Sequence, residues 1–199
     1  NATWINDVGY PGWFLYTWSG GAITQINLNS GGVIGTNGTG SFYAFGLTSS
    51  SADRALGGIG AGGAYYSSPA SGAIAGYIAF AVTNTIGYTL SEFTVGFDGE
   101  QWRNGGNTSS QTMVLEYGFG ATFASVSTWT APGGNFDWTS PVVGSSSGAV
   151  DGNVAGLVAG RGGTINNLTW NNGDTLWIRW IERNDVGNDH GLAIDNFSF

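Results

Sequence analysis

Two carboxylates, Asp98 and Glu100, form the pair in this 199-residue sequence whose spacing could do chemistry. Residues two apart on a β-strand point to the same face and lie about 6.6 Å apart. This separation is close to that between the acid and the base of an inverting glycosidase. Alternatively, one of Arg54, Arg103 and Arg179 pairs with Glu100 and holds neighbouring strands in register. Hydrolysis, glycan binding and structural pairing therefore all remain open for these two carboxylates.

Further aromatic and charged side chains alternate with the apolar positions of the same and later strands, so they face away from the predicted core. Trp102 follows Glu100 at the same two-residue spacing. An indole ring offers a face that suits the C–H side of a sugar. We therefore predict an acidic, Trp-bearing ligand-binding face that carries, beside the carboxylate pair, Trp102, Glu116, Trp177 and Arg179.

Side-chain oxygens also gather in the turn at residues 184–190. Asp185, Asn188 and Asp189 offer the oxygen ligands that Ca²⁺ prefers, of which it takes about six to eight. The spacing differs from an EF-hand loop, which needs a glycine at its sixth position and a closing glutamate. Alternatively, these side chains cap the backbone of their own turn. Apart from Ca²⁺ at this turn, we predict no cofactor.

Motifs for nucleophilic or nucleotide chemistry are weak. His190 is the one imidazole, and the adjacent Asp189 would face the opposite side of a strand, which is poor geometry for a catalytic triad. No Gly-x-Ser-x-Gly elbow occurs in the sequence. The glycine-rich run at residues 57–63 lacks the lysine of a phosphate loop, so we interpret this run as a turn.

The composition excludes several functional classes. The net charge is −8 and the five basic residues are scattered arginines, so no stripe can neutralise nucleic-acid phosphates. Schiff-base and thiol chemistry are excluded because the sequence has neither Lys nor Cys. The longest apolar stretch, residues 72–82, is shorter than the about 20 residues of a membrane-spanning helix. We therefore expect no nucleic acid and no membrane insertion, and the low charge favours an extracellular protein.

The elements that must position these side chains are β-strands. Runs of β-branched and aromatic residues recur between clusters of Gly, Asn and Ser, and no window shows helical spacing. The segment at residues 132–163 is interpreted as a loop. The pattern predicts a single all-β sandwich domain over residues 1–199, with strands near 13–18, 22–28, 41–47, 74–83, 92–101, 112–119, 174–181 and 192–199.

Two motifs resemble a group of secreted bacterial proteins, some of which carry a PEP-CTERM sorting tail. These motifs are Gly-Glu-Gln-Trp-Arg at residues 99–103 and Asp-His-Gly-Leu-Ala-Ile-Asp at residues 189–195, and weaker matches extend over nearly the whole chain. The resemblance implies a concanavalin-like (jelly-roll) antiparallel β-sandwich at the cell surface or in an extracellular matrix. It implies no established catalytic activity.

Three functions are compatible with these features. The first is a non-catalytic surface or matrix protein that adheres or assembles with copies of itself into a fibre or sheath, through aromatic contacts and exposed strand edges. The alternative is a carbohydrate-binding module that holds extracellular polysaccharide on the acidic face. A glycoside hydrolase using Asp98 and Glu100 is the third and least favoured.

Overall fold

The computed structural model describes residues 1–28, 40–48, 50–61, 66 and 68–199. No helix within these residues could span a lipid bilayer. Short 3-10 turns occur at Phe123–Ser125 and Gly134–Phe136. The strands of the described chain are β1 (Ala2–Thr3), β2 (Trp13–Thr17), β3 (Gln25–Ile26), β4 (Ser41–Phe45), β5 (Ala55–Ile59), β6 (Ile74–Thr83), β7 (Phe93–Asn104), β8 (Thr112–Phe119), β9 (Trp138–Thr139), β10 (Gly148–Ala149), β11 (Leu157–Ile165), β12 (Thr175–Arg183) and β13 (Gly191–Ser198).

Two antiparallel sheets stack to form a sandwich. The five-stranded sheet has the order β2-β6-β12-β8-β9, and the six-stranded sheet has the order β10-β7-β13-β5-β4, with β11 also paired to β7. Consecutive long strands alternate between the two sheets. β5 and β7 lie in the six-stranded sheet, and β6 and β8 lie in the five-stranded sheet. Likewise, β11 and β13 lie in the six-stranded sheet, and β12 lies in the five-stranded sheet. The prediction of an all-β, jelly-roll-like antiparallel sandwich is confirmed.

Aromatic rings fill the space between the two sheets. Trp180 of β12 has no exposed surface, and its ring centroid lies 5.9 Å from that of Trp13, in a stacked arrangement. Trp180 also meets Phe97 of β7 edge-on at 5.4 Å and Phe197 of β13 at 5.9 Å. Because Trp180 belongs to one sheet and both phenylalanines to the other, these contacts hold the sheets together.

The predicted strands at residues 74–83 and 112–119 coincide with β6 and β8. The turn predicted at residues 57–63 is wrong for its first three residues, which lie in β5, whereas Gly62 and Gly63 are outside the described residues. A side chain at Gly57 would overlap Ala193 of the neighbouring strand. With two glycines at its centre, β5 has a single β-branched residue, Ile59, instead of the run that predicts a strand. The predicted loop at residues 132–163 also overlooked β11.

The chain itself covers the outer face of each sheet. On the five-stranded sheet, Phe123 packs against Tyr77 and Trp177 at centroid distances of 5.4 and 5.7 Å. On the six-stranded sheet, residues 150–156 leave the edge of β7, and the Asn153 side chain of this segment donates to Asp53 at 2.9 Å. We call residues 150–156 the strap.

Most sheet edges are also covered. Asn27 exchanges two backbone hydrogen bonds with β4, and the Ile23 N–H donates to β2. The side chain of Asn135 donates to two carbonyls of β11, at 3.0 and 2.8 Å. The exposed edges that strand addition between copies would need are therefore short.

Gly99 on β7 makes room for the buried indole of Trp138, because a Cβ at this position would overlap that ring. We expect Gly99→Ala to cost about 1–3 kcal/mol of unfolding free energy and to lower Tm by roughly 2–12 °C in thermal denaturation. Gly148→Ala is the matched control, since no atom lies within 4 Å of its Cβ position. Equal Tm values for the two variants would contradict this account of the packing.

Candidate functional site

The residues predicted to bind a ligand do not form one face. They divide between the outer faces of the two sheets, with the core between them: Asp98, Glu100 and Trp102 on β7, and Glu116, Trp177 and Arg179 on β8 and β12. The prediction that these residues share a single face is therefore wrong. Alternation along a strand assigns side chains to a face of that strand, but it does not say in which sheet the strand lies.

Arg179 and Glu116 form a structural clamp. They stand directly opposite each other on neighbouring strands, with 2.5 Å between Arg179 Nη2 and Glu116 Oε2. The guanidinium also lies over the rings of Trp129 and Tyr77, at 3.9 and 4.4 Å from their centroids. An arginine held between a carboxylate and two rings fastens the segment that carries Trp129 onto the five-stranded sheet.

The two indoles predicted to stack on a sugar are both buried. Trp177 is 4% exposed and donates through Nε1 to the Gly120 carbonyl at 2.9 Å. Trp102 has no exposed surface, and Gly152 of the strap lies so close that a side chain there would overlap the indole. A ring without an open face cannot stack on a ligand, so these two residues are not a sugar platform.

Asp98 and Glu100 do share one face of β7, but their groups are engaged or buried. The carboxylate of Asp98 accepts hydrogen bonds from the Gly160 N–H at 2.7 Å and from Asn196 Nδ2 at 2.9 Å. Glu100 is 1% exposed, and its Oε2 accepts from Trp102 Nε1 at 2.9 Å. Burial raises the pKa of Glu100 to about 7. Glu100 is poorly placed to protonate a glycosidic oxygen because substrate cannot reach it.

The turn predicted to bind Ca²⁺ is held by its own hydrogen bonds. Asp189 Oδ1 accepts from the Asp185 N–H at 2.6 Å. The Asn188 carbonyl accepts from Asn107 Nδ2 at 3.0 Å and from Gln111 Nε2 at 2.9 Å. This is the arrangement of a turn whose side chains cap its backbone, which was the alternative interpretation. Across the described residues, no three acidic or imidazole side chains converge as a set of metal ligands.

His190 connects the same turn to two loops. Its Nδ1 accepts from the Gly105 N–H at 3.0 Å, which leaves Nε2 to donate to the Ser109 carbonyl at 3.2 Å. Desolvation lowers the pKa of His190, so the ring is neutral at physiological pH. With both nitrogens engaged by backbone groups, the ring has no nitrogen left for a catalytic base or a metal.

A cleft lined by aromatic rings opens beside the first residues of the chain. Its volume is about 200 Å³, and its walls include Trp4, Tyr10 and Trp13. Two charged residues, Arg54 and Asp195, also line the cleft. At about 30 Å³ per water, the volume of the cleft corresponds to roughly seven water molecules. We take this as room for a single sugar ring.

The rings of the cleft are fixed by the chain between them. Asn6 Oδ1 accepts from Trp4 Nε1 at 2.7 Å and from the Leu15 N–H at 2.8 Å, so one side chain ties the indole to β2. Asp7 Oδ1 accepts from the Gly12 N–H at 2.7 Å, and Gly12 has a positive φ of 84° that closes the turn. The turn therefore has a defined shape.

The rings also support one another. Trp4 and Tyr10 stack with centroids 5.9 Å apart and planes 8° from parallel. Trp4 is buried, whereas Tyr10 is 65% exposed at the lip of the cleft. Trp13 meets Phe197 edge-on at 4.9 Å, besides its contact with the core indole. The result is a preformed aromatic wall with one exposed ring.

The cleft lies where β5 and β13 separate. Their last backbone pair joins Leu56 and Ile194, and the next residues of each strand, Ala55 and Asp195, line the cavity. Sequence reasoning missed this site. The aromatic residues on both sides of a glycine-containing turn were a usable signal, but the presence of Arg54 and Asp195 in one cavity depends on strand pairing.

Comparisons with known proteins add little to this geometry. No protein-family model and no curated protein matches the chain. Among solved structures, the chain is similar to one described as "Carbohydrate-Binding Module CBM36 in complex with calcium and xylotriose", at 16% sequence identity and a TM-score of 0.28. The likeness covers 63% of this chain and 76% of that one. At this TM-score the likeness carries no functional argument.

Burial raises the pKa of Asp189 from its ordinary 3.8 to about 7. A carboxyl with a higher pKa in the folded than in the unfolded state stabilises the fold only while protonated. The free energy of unfolding therefore falls as the pH rises from about 4 to about 7. Asp189→Asn keeps the oxygen that accepts from Asp185 and removes this titration. We expect the Tm of the variant to fall less than that of the parent over this window.

The measurement is thermal denaturation at a series of pH values, with Glu92→Gln as a control that removes an exposed carboxyl. Asp185 and Glu182 also have raised pKa values beside Asp189, so a residual slope is expected in the variant. A slope in Asp189→Asn as steep as that of the parent would show that Asp189 does not titrate as described.

Proposed function

We propose that this protein is a non-catalytic carbohydrate-binding domain whose sugar site is the aromatic cleft. The observation that carries the proposal is a cavity with the room of one sugar ring, bounded by Trp4, Tyr10 and Trp13 and flanked by Arg54 and Asp195. Glycan sites combine ring faces, which contact the C–H side of the sugar, with a few polar groups, which bind its hydroxyls.

Preorganisation supports a binding role for the aromatic wall. Tyr10 is largely exposed yet stacked on Trp4, and Trp13 is packed between the cleft and the core. Rings that are already ordered lose little conformational entropy when a ligand binds. A sugar that enters the cleft meets one exposed face, that of Tyr10, and two supporting indoles.

The polar groups favour a neutral glycan. Arg54 donates to the carbonyls of Ser51 and Ala44, both at 3.0 Å, so its guanidinium is held at the wall. Asp195 offers carboxylate oxygens to sugar hydroxyls, and Asp53 lies beside it. A cleft beside two carboxylates, on a chain of net charge −8, repels uronic acids and sulfated sugars.

Binding is favoured here over the other two functions considered from the sequence. Self-assembly by strand addition needs exposed edges, and Asn27, Ile23 and Asn135 cover most of them. Hydrolysis by the Asp98 and Glu100 pair needs access to Glu100, which is buried. We propose that the domain acts outside the cell, where neutral polysaccharide is available, and that any adhesion proceeds through the glycan.

Tyr10→Ala tests the site directly, because it removes the exposed ring without opening the core. A glycan array of neutral and acidic oligosaccharides identifies the ligand, and isothermal titration calorimetry then measures its Kd. We expect neutral glycans to bind and Tyr10→Ala to weaken binding by about 10- to 100-fold, because it removes the exposed ring face that contacts the sugar. Tyr88→Ala is the matched control, since both tyrosines are 65% exposed.

Two results would overturn the assignment. One is the absence of binding to any neutral glycan on the array. The other is a Kd for Tyr10→Ala equal to those of the parent and of Tyr88→Ala. The Tm of each variant, measured in parallel, separates a loss of affinity from a loss of folding.

A further inference from the structure

Four carboxylates gather on the outer face of the six-stranded sheet. Asp98 and Asp195 stand directly opposite each other on β7 and β13. Asp53, which accepts a hydrogen bond from Asn153 of the strap, lies close enough to raise the pKa of Asp195. Glu100 is two residues along β7 from Asp98, and it feels the charges of the other three carboxylates. Like charges at directly opposed positions destabilise a sheet unless something neutralises them.

Glu100 supplies a second, independent observation. Its side chain is almost fully buried, and its Oε1 has no hydrogen-bond partner. Across the neighbouring strands, Glu100 stands opposite Ala193 of β13 on one side and Leu157 of β11 on the other. A buried carboxylate oxygen without a partner is costly.

The physical requirement at this place is a positive charge. Asp98 and Asp195 face each other across neighbouring strands, and carboxyl groups this close at neutral pH are stabilised by a shared proton or by a cation between them. A bound cation favours the charged forms of such carboxyls.

We propose that a calcium ion binds under the edge of the strap, with carboxylate oxygens of Asp53, Glu100 and Asp195 as its ligands. The available donors there are oxygens, which is the chemistry that Ca²⁺ prefers. Asn153 of the strap lies against Asp53, and its amide supplies a further oxygen once the side chain flips. Asp98 already holds Gly160 and Asn196, so it contributes charge and fixes the strands around the site.

The site is not preassembled. No three acidic or imidazole side chains of the described residues already meet around one point, so Asp53 and Asp195 turn toward Glu100 when the ion binds. Ca²⁺ tolerates this better than Mg²⁺, which demands near-octahedral geometry. Because Asp195 lines the aromatic cleft as well, calcium also fixes one wall of that cleft. Metal binding can nevertheless be measured without any glycan.

Calcium alone, without glycan, tests the proposal. Metal-free protein is titrated with CaCl₂ at neutral pH in a calorimeter, and its Tm is measured with and without the metal. We expect a binding heat of one ion per chain and a Tm increase of about 5–10 °C at a hundredfold excess over Kd. Tb³⁺ is a second probe, since Trp102 contacts Glu100 and would sensitise its luminescence.

Glu100→Gln and Asp53→Asn remove proposed ligands that do not line the cleft, and Glu92→Gln removes an exposed carboxyl elsewhere. We expect the first two variants to lose the calcium-dependent Tm shift and the third to keep it. The proposal would be overturned if the parent shows neither a binding heat nor a Tm shift. It would also be overturned if either ligand variant keeps the full Tm shift. A parent that ignores calcium, and whose gain in Tm at low pH is smaller in Glu100→Gln, would show that the carboxyls share protons instead. Either failure leaves the glycan assignment untouched.

Discussion

The contact between Trp180 and the rings around it is the constraint on which the structure depends. The sequence has few charged residues, and the two sheets are held together by aromatic contacts across the core, where Trp180 meets Phe97 and Phe197 edge-on. Trp13 belongs both to this ring network and to the wall of the cleft. The cleft is therefore the open end of the core, and its rigidity is that of the core.

Abundant glycine and abundant tryptophan in one sequence have a common explanation. Gly99 leaves the space that the Trp138 indole fills, and Gly152 lets the strap lie directly on Trp102. Large rings fit into a thin sandwich where the facing backbone carries no side chain. The contact between Gly152 and the indole buries Trp102, which the sequence pattern predicted to be at the surface. This burial is the reason that Trp102 cannot form the predicted sugar platform.

The sequence predicted the architecture because alternation and turn residues act locally. It could not predict which strands share a sheet, since that depends on pairings between distant segments. Glu116 and Arg179 were correctly chosen as outward-facing, yet their partner is each other and not a ligand. Asp53 and Asp195 were missed because each looks ordinary alone, and only the meeting of β5 and β13 brings them together.

The same strand end that forms the cleft also concentrates negative charge. Asp195 lines the aromatic cavity and touches the carboxylate cluster beneath the strap. Two sites that share a residue on a short, bulged strand end can influence each other through its orientation. Charge and ring surface are thus placed side by side at one end of the sandwich, while the opposite outer face is closed by the Arg179 clamp.

The indole N–H signals of the nine tryptophans offer a direct test of where a glycan binds. In a ¹H–¹⁵N spectrum recorded during titration with a neutral oligosaccharide, the signals of Trp4 and Trp13 should shift in proportion to occupancy. Those of Trp102 and Trp177, which are buried on the two outer faces, should stay in place. Shifts confined to Trp102 or Trp177, with Trp4 and Trp13 unchanged, would contradict the assignment of the cleft as the sugar site.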